Sequence, residues 1–517
     1  MLFPSGRLRN AILGGLLFLL LLIALGSTFV AKPDLLSTFH NPFASSRHPH
    51  FDGQEWTQAS VALGQDVPGA TSLTDLLTPE QKEASDRNNN IKHNIVKSSV
   101  TKDGRWFLVD FGEGYGSYNP SILPHPSKEE TWIVIAQRDK QEDDNDTFNV
   151  ELVCEATFNR KASSVQCIPG SVMILPIRST TAGAGQCEGD LEYMKTMIGP
   201  HDARIFFGPS QNRTERNLLG DEVVFESEPV PYVMYGSQGT QSCVAMWMQD
   251  LRRLVDWNGG EGGHLDEKVD PFFWGTQLAR PGMEEVQAEG LQKSEKEKRI
   301  EAGTIEKNWF AFWDSAGDLY IHQDIKPTYR AFSKILDPFN ATTSPDLAPL
   351  ATTDTHCMTS LMPALQPTNL EWIHQSTNSL SLTLCRRLDP GCEPSDDNTF
   401  ILTLFQVKTF YYHGVYEPYV MLFRQRAPFE IYGITQKPLW YYGRGRPGGD
   451  WTTGTLESRP HDQSEMVFTT SVSFMGRGRG YHGYLDDKVM ISFGIEDQKS
   501  GGIDVVAEDL VKSLELC

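Results

Sequence analysis

The sequence predicts an all-β body carried on an N-terminal membrane anchor and a stem, and three observations lead there. From about residue 105 onward, short apolar and β-branched runs recur between clusters of Gly, Pro, Asn and Asp. Helical periodicity is scarce over the same stretch, which argues against alternating βα units. One charge-free apolar run, long enough to span a bilayer, stands near the N-terminus. Composition agrees with a folded chain: the 517 residues are 39% hydrophobic and 10% aromatic, too apolar for disorder. The net charge of −21, from 46 Lys+Arg against 67 Asp+Glu, disfavours nucleic acid as a partner.

Taken in order, residues 1–10 form a short tail with Arg7 and Arg9. Residues 11–31 follow without a charge and reach about 31 Å as a helix, matching the bilayer core. The flanking arginines favour a cytosolic N-terminus and a translocated remainder, hence a single-pass type II anchor. A cleaved signal peptide is the alternative, and either sends the rest of the chain into an oxidising lumen. Residues 32–95, rich in Ser, Thr, Pro, Asn and Asp, read as a stem with one helix within Leu73–Asp86. Three triplets, at Asn145, Asn212 and Asn340, fit the glycosylation pattern. Of the eight cysteines, Cys385 and Cys392 flank a tight turn and are the expected local pair, with Cys517 the expected odd member. No CxxC pair or His/Cys cluster with zinc-type spacing appears.

Residues 96–517 form the body. Its β-type runs include 106–109, 132–136, 172–175, 204–207, 309–313, 400–405, 419–423 and 489–493. Many short strands without intervening helices suggest a propeller or a large sandwich. The Gly-rich and then charged stretch around 258–302 reads as an insertion. Most aromatics of the 309–322 stretch, Trp309, Trp313 and Tyr320 among them, are expected in the core.

Several familiar chemistries are absent. There is no GxSxG elbow, HExxH helix or Walker loop. A GxGxxG spacing at Gly478, Gly480 and Gly483 is followed by strand-like rather than helical text, so it lacks a dinucleotide site's context. The acidic string at 143–146 reads as a solvated loop rather than a metal motif. Two Gly-spaced arginine loops stand out in so acidic a chain. Arg444 and Arg446 in one, and Arg477 and Arg479 in the other, could present guanidinium forks to a phosphate or diphosphate, with His482 beside the second.

Four segments in order carry a resemblance: Tyr118-Asn119-Pro120-Ser121, His201-Asp202-Ala203-Arg204, Glu306-Lys307-Asn308-Trp309, and Phe493-Gly494-Ile495-Glu496-Asp497. The series resembles the five-bladed β-propellers of the mannoside phosphorylase and hydrolase group and its β-1,2-mannosyltransferase relatives. The wider text, including 374–385 and 416–423, is similar to fungal β-mannosyltransferase-type proteins. The resemblance implies a five-bladed propeller with Asp202 as the catalytic carboxylate and Asn119, Arg204, Glu306, Lys307, Asn308 and Asp497 around the sugar, and Asp487 adds a polar candidate near the late blades. Ala203 departs from the proline usual there.

The implied reading is a Golgi-membrane glycosyltransferase that adds β-linked mannose, β-1,2 by the resemblance, from GDP-mannose as donor substrate to a mannan or glycan acceptor, with no cofactor named and the use of a divalent metal left open. Such an inversion needs a base for the acceptor hydroxyl and cations for the departing phosphate. Two alternatives stay open: a β-mannoside phosphorylase or hydrolase on the same propeller, and a non-catalytic glycan-binding protein.

Overall fold

The computed structural model describes residues 92–139, 148–210, 228–256, 265–280, 305–410, 413–447, 451, 462–476 and 480–517, with the backbone of Asn212–Arg216 and Glu222–Glu226. The tail, the 11–31 run, the helix within Leu73–Asp86, the 143–146 string, Arg477 and Arg479 lie outside the described residues. No helix among the described residues is long and apolar enough to cross a membrane.

The body is mostly β, and the α-helices among its described residues, Asp354–Leu361 and Ala507–Leu510, are short. Nearly all the anticipated runs are strands. At 172–175 only Met173–Ile174 is extended, and it is exposed. Two sheets are antiparallel meanders of four strands each. One runs His201–Phe207, Pro231–Gln238, Val244–Asp250, Thr276–Gln277, and the other Phe310–Trp313, Leu319–Ile325, Arg330–Asp337, Thr342–Thr343. A seven-stranded sheet centres on Thr399–Thr409, which pairs with Trp372–Gln375 and Leu380–Thr383 on one side and Val415–Arg424 on the other.

The nine-stranded sheet joins the two ends of the body. Its strand Phe107–Asp110 runs antiparallel to Lys499–Val506 and parallel to Ser164–Cys167. Two expected boundaries meet structure that crosses them. Asn94–Val96 pairs in parallel with Leu439–Tyr441, so the stem limit at 95 falls inside a strand. Within the 258–302 insertion, Thr276–Gln277 completes a sheet, and Phe272 and Leu278 are buried in the core.

Alternation along the strands explains the packing. In Thr399–Thr409, Phe400, Leu402 and Leu404 enter one apolar cluster while Ile401, Phe405 and Val407 enter another. In Pro231–Gln238, Tyr232 and Met234 face one cluster, Val233 and Tyr235 a different one. A strand covered on both faces needs apolar residues at every position, which is why these segments read as continuous runs. As expected, Trp309, Trp313, Tyr320 and His322 all lie in this interior.

Several strands that share no backbone ladder are tied by side chains instead. Ser121 Oγ accepts from the Ile205 amide at 2.9 Å, and Ser379 Oγ donates to the Ala311 carbonyl at 2.7 Å. Asn378 bonds both the amide and the carbonyl of Val472. Ser473 Oγ donates to the Ile122 carbonyl at 2.7 Å, and Thr470 Oγ1 to that of Pro120. These bonds satisfy backbone groups that water cannot reach.

All eight cysteines are paired: Cys154–Cys167, Cys187–Cys243, Cys357–Cys517 and Cys385–Cys392. The local pair is as expected, whereas Cys517 is not the odd one, because Leu514–Leu516 pairs with Ile431–Thr435 and brings it to Cys357. That bridge closes a separation of 160 residues. The double variant Cys357→Ser/Cys517→Ser is expected to lose about 2–4 kcal/mol, read as a lower denaturation midpoint in non-reducing buffer.

Candidate active site

The strand Ser117–Pro124 opposes Thr131–Arg138 with a register shift between Tyr118 and Ser121, leaving Asn119 and Pro120 in a bulge. His201–Phe207 has the equivalent irregularity against Pro231–Gln238, leaving Asp202 and Ala203 in a bulge. A bulge turns side chains out of the normal alternation. Asn119, Asp202 and Asn308 all take left-handed backbone angles, with φ of 53°, 52° and 61°. Outside glycine such angles are uncommon and persist only where the surroundings enforce them.

The three residues meet in one network. Asn119 Nδ2 donates to Asp202 Oδ1 at 3.1 Å. Arg204 Nη2 donates to Asn308 Oδ1 at 2.7 Å, and its Nε to the Thr470 carbonyl at 2.9 Å. Gln375 Nε2 donates to the Asn308 carbonyl at 3.2 Å. Gly494 lets a further strand approach: a Cβ there would lie 2.0 Å from Asn119 Oδ1. Gly236 does the same beneath His201, where a Cβ would lie 2.7 Å from Nε2.

Electrostatics separate two carboxyls at this place. Burial alone would raise the Asp202 carboxyl, but His201, Lys307, Arg204 and the Asn119 hydrogen bond together hold it below the usual value. His201 is itself driven down by burial. Asp202 is partly exposed and thus reachable. Asp497 moves the other way. Its side chain reaches solvent, yet the surrounding chain strips part of its hydration, and that loss followed by the charge of Asp202 raises it, with Lys408 opposing. Glu496 and Asp497 occupy the turn between Lys488–Ile495 and Lys499–Val506, both with positive φ. The phenols of Tyr118 and Tyr416, raised by burial and by both aspartates, stay protonated and can donate.

Cations gather on one side. Lys408 Nζ lies 5.0 Å from the Trp372 ring centre and 5.4 Å from that of Tyr416. His374 is lowered to about 4 by burial and then by Lys408, Lys326 and Lys307, from three separate segments. His482 is likewise lowered to about 4, by burial and Arg387, and accepts or donates a 2.8 Å bond with Thr383 inside a sheet. His322, wholly buried, lies well below its ordinary value. For all three the folded form binds protons less readily than the unfolded chain. Their stabilising contribution is therefore complete above about pH 6.5 and is lost as pH falls, toward about 4 for His374 and His482. Thermal unfolding across that window should show a falling midpoint, with His482→Gln flattening part of the slope.

The other anticipated residues are distributed differently. Glu306 is committed to Arg280, with two bonds of 2.7 Å, and accepts from Trp309 Nε1. Lys307 is exposed beside Asn308. Asp487 accepts from Arg387 and from the Tyr484 amide in a turn at the far end of the strand that leads to Asp497, on the order of 30 Å away at about 3.3 Å per residue. Arg444 is buried rather than presented: it donates to the carbonyls of Glu465 and Tyr416 and lies 4.8 Å from the Trp440 ring centre. Arg446 is partly buried, and its carbonyl accepts from Trp451.

Glu151, Gln137 and Lys408 belong to the neighbourhood without having been anticipated. Each lies at or near the end of a largely apolar strand, a pattern common to many strand ends. Among the described residues no cluster of His, Cys, Asp and Glu is arranged to hold a metal ion. A surface cavity of about 360 Å³ near Thr181–Gln186 shares no residue with the network.

No family model matches the chain, and no curated protein matches it. Among solved structures the chain is similar to a hypothetical protein from Leishmania major, at 10% identity and a TM-score of 0.36, over 82% of this chain and 93% of that one. It is similar to a β-1,2-mannobiose phosphorylase from Listeria innocua, at 9% identity and a TM-score of 0.38, over 78% and 93%. A thermostable family-43 glycoside hydrolase follows at 8% identity and a TM-score of 0.30, over 78% and 94%. These structural neighbours include carbohydrate-active enzymes; likeness at such scores assigns no activity.

Proposed function

We propose that the chain is a carbohydrate-active enzyme on a five-bladed propeller that breaks β-mannosidic bonds by hydrolysis or phosphorolysis with inversion. Five blades are supported if the nine-stranded sheet is divided at its parallel pairing, Phe107–Asp110 with Ser164–Cys167, the last blade then being completed by an N-terminal strand. Side-chain bonds link every neighbouring pair of innermost strands around that ring, the Arg204–Asn308 bond among them.

The observation that carries the chemistry is the pair of carboxyls in unlike surroundings: Asp202 in its bulge, bonded by Asn119 and faced by His201, Lys307 and Arg204, and Asp497 on a turn facing Asp202 and Lys408. Two carboxyls whose environments push them apart are suited to a base and an acid. Asp202, ionised, takes the proton of an attacking water. Asp497, holding its proton longer, delivers it to the departing sugar oxygen. Where phosphate is the nucleophile, the lysines around His374 supply the positive field, and Asp497 still serves the leaving group. The mannoside preference rests on the four-segment resemblance.

A second reading, mannosyl transfer from GDP-mannose to a glycan, has one observation in its favour. The same lysines suit a diphosphate, and Asp202 would act on the acceptor hydroxyl. A nucleotide diphosphate departs without a proton, however, and leaves Asp497 without a task. A secretory location accords with four disulfides and with the 11–31 run.

The test is to incubate the purified protein with β-1,2-mannobiose, with and without inorganic phosphate, and separately with GDP-mannose and manno-oligosaccharides. Release of mannose or mannose 1-phosphate is expected. Transfer from GDP-mannose without cleavage of either glycoside would overturn the reading, and glycan binding with no turnover would leave a lectin.

A further inference from the structure

Glu151 begins the strand Glu151–Asn159 and is completely buried. Its cross-strand neighbour is Gln137. The two side chains hold consecutive amides of the Asp202 bulge: Gln137 Oε1 accepts from the Asp202 N–H at 3.3 Å, and Glu151 Oε1 from the Ala203 N–H at 3.2 Å. A proline at 203 could not make the second bond, having no N–H. Glu151 Oε2 has no hydrogen-bond partner, and no Lys, Arg or His among the described residues forms an ion pair with this carboxyl. An ionised group placed so would be costly, since burial of a charge requires a partner at bonding distance.

We propose that Glu151 is a positioning residue for Asp202, working as a neutral acid that fixes the bulge without adding a second charge to it. The inference rests on the active-site reading above. The groups facing Glu151 are Asp202 and Arg204 from His201–Phe207 and Tyr118 from Ser117–Pro124. Burial foremost, and then the charge of Asp202, raises the Glu151 carboxyl to about 8, against the lowering effects of the Ala203 amide and Arg204. Above that pH a second charge appears beside Asp202 and competes for Arg204, the guanidinium that otherwise bonds Asn308. The proton on Glu151 and the charge on Asp202 therefore depend on one another.

Two measurements test this on the full chain. The first needs no substrate: infrared difference spectra of wild type against Glu151→Gln should show a protonated-carboxyl band at neutral pH that fades as pH rises through about 8. The second is kinetic. Glu151→Ala, which releases the Ala203 amide, should lower kcat roughly 10²-fold with little change in KM, as expected for a reacting group displaced by about an ångström. Glu151→Gln keeps the acceptor and the neutral charge, so it should restore most of kcat at neutral pH while shifting the alkaline limb of the wild-type profile. Absence of the band, or a loss in Glu151→Gln as large as in Glu151→Ala, would overturn the proposal. A band present in a protein that cleaves no mannoside would instead overturn the functional reading and leave the protonation of Glu151 standing.

Discussion

Asp202→Asn should lower kcat by roughly 10²–10⁴-fold, the range associated with loss of a general base, while leaving the unfolding midpoint little changed. The asparagine retains an oxygen for the 3.1 Å bond from Asn119, so the bulge keeps its tie, but it cannot take a proton. Its companion, Asp497→Asn, separates the two roles. Cleavage of mannobiose, whose leaving oxygen needs a proton, should fall by a similar factor. An activated aryl mannoside, whose phenolate departs unaided, should be much less affected. In wild type the rate should be bell-shaped in pH: the acidic limb reports protonation of Asp202 below the ordinary carboxylate range, and deprotonation of Asp497, raised above its ordinary value, contributes to the decline on the other side. Full activity of Asp202→Asn on every substrate would exclude the aspartate as base.

Arg330→Met is expected to cost about 3–5 kcal/mol, the range for removing one member of a buried ion pair. Arg330 Nε bonds Asp354 Oδ2 at 2.6 Å, its Nη2 bonds the Phe429 carbonyl, and its guanidinium lies 4.9 Å from the ring centres of Phe332 and Phe423. Asp354 begins the helix Asp354–Leu361 and also accepts from the Ile431 amide at 2.8 Å. Removing the arginine leaves that carboxylate buried and unpaired, so it must take a proton or draw in water. A urea midpoint that falls at constant slope would show the loss. Arg330→Met/Asp354→Asn should recover part of it, because the remaining polar group is then neutral.

How much of this could be read in advance differs by scale. The strands were legible because burial on both faces writes continuous apolar text, as in 400–405 and 489–493. Asn119, Asp202, Lys307, Asn308 and Asp497 came from motifs in the right order. Their equivalence did not, since 83 residues separate Asn119 from Asp202 and only the paired bulges bring them together. Arg444 shows the opposite limit. Gly-Arg-Gly-Arg reads alike for a displayed loop and a buried anchor, and the two carbonyls that bind Arg444 belong to distant segments. Glu151 escaped for the same reason, as its importance lies in an amide on another sheet. The Cys385–Cys392 bridge was legible at a separation of 7 residues, whereas Cys357–Cys517 required the course of the final strand.

The pairing of Phe107–Asp110 with Lys499–Val506 also sets an order of events during synthesis. A chain made N-terminus first holds one flank of the early strand uncovered until almost all of the polypeptide has emerged, and Asp497 cannot join Asp202 before then. Nascent molecules therefore pass through a stage with an open strand edge and no assembled candidate site, when intermolecular pairing competes most strongly with closure. Truncation shortly before residue 499 should consequently yield aggregates rather than a smaller active enzyme.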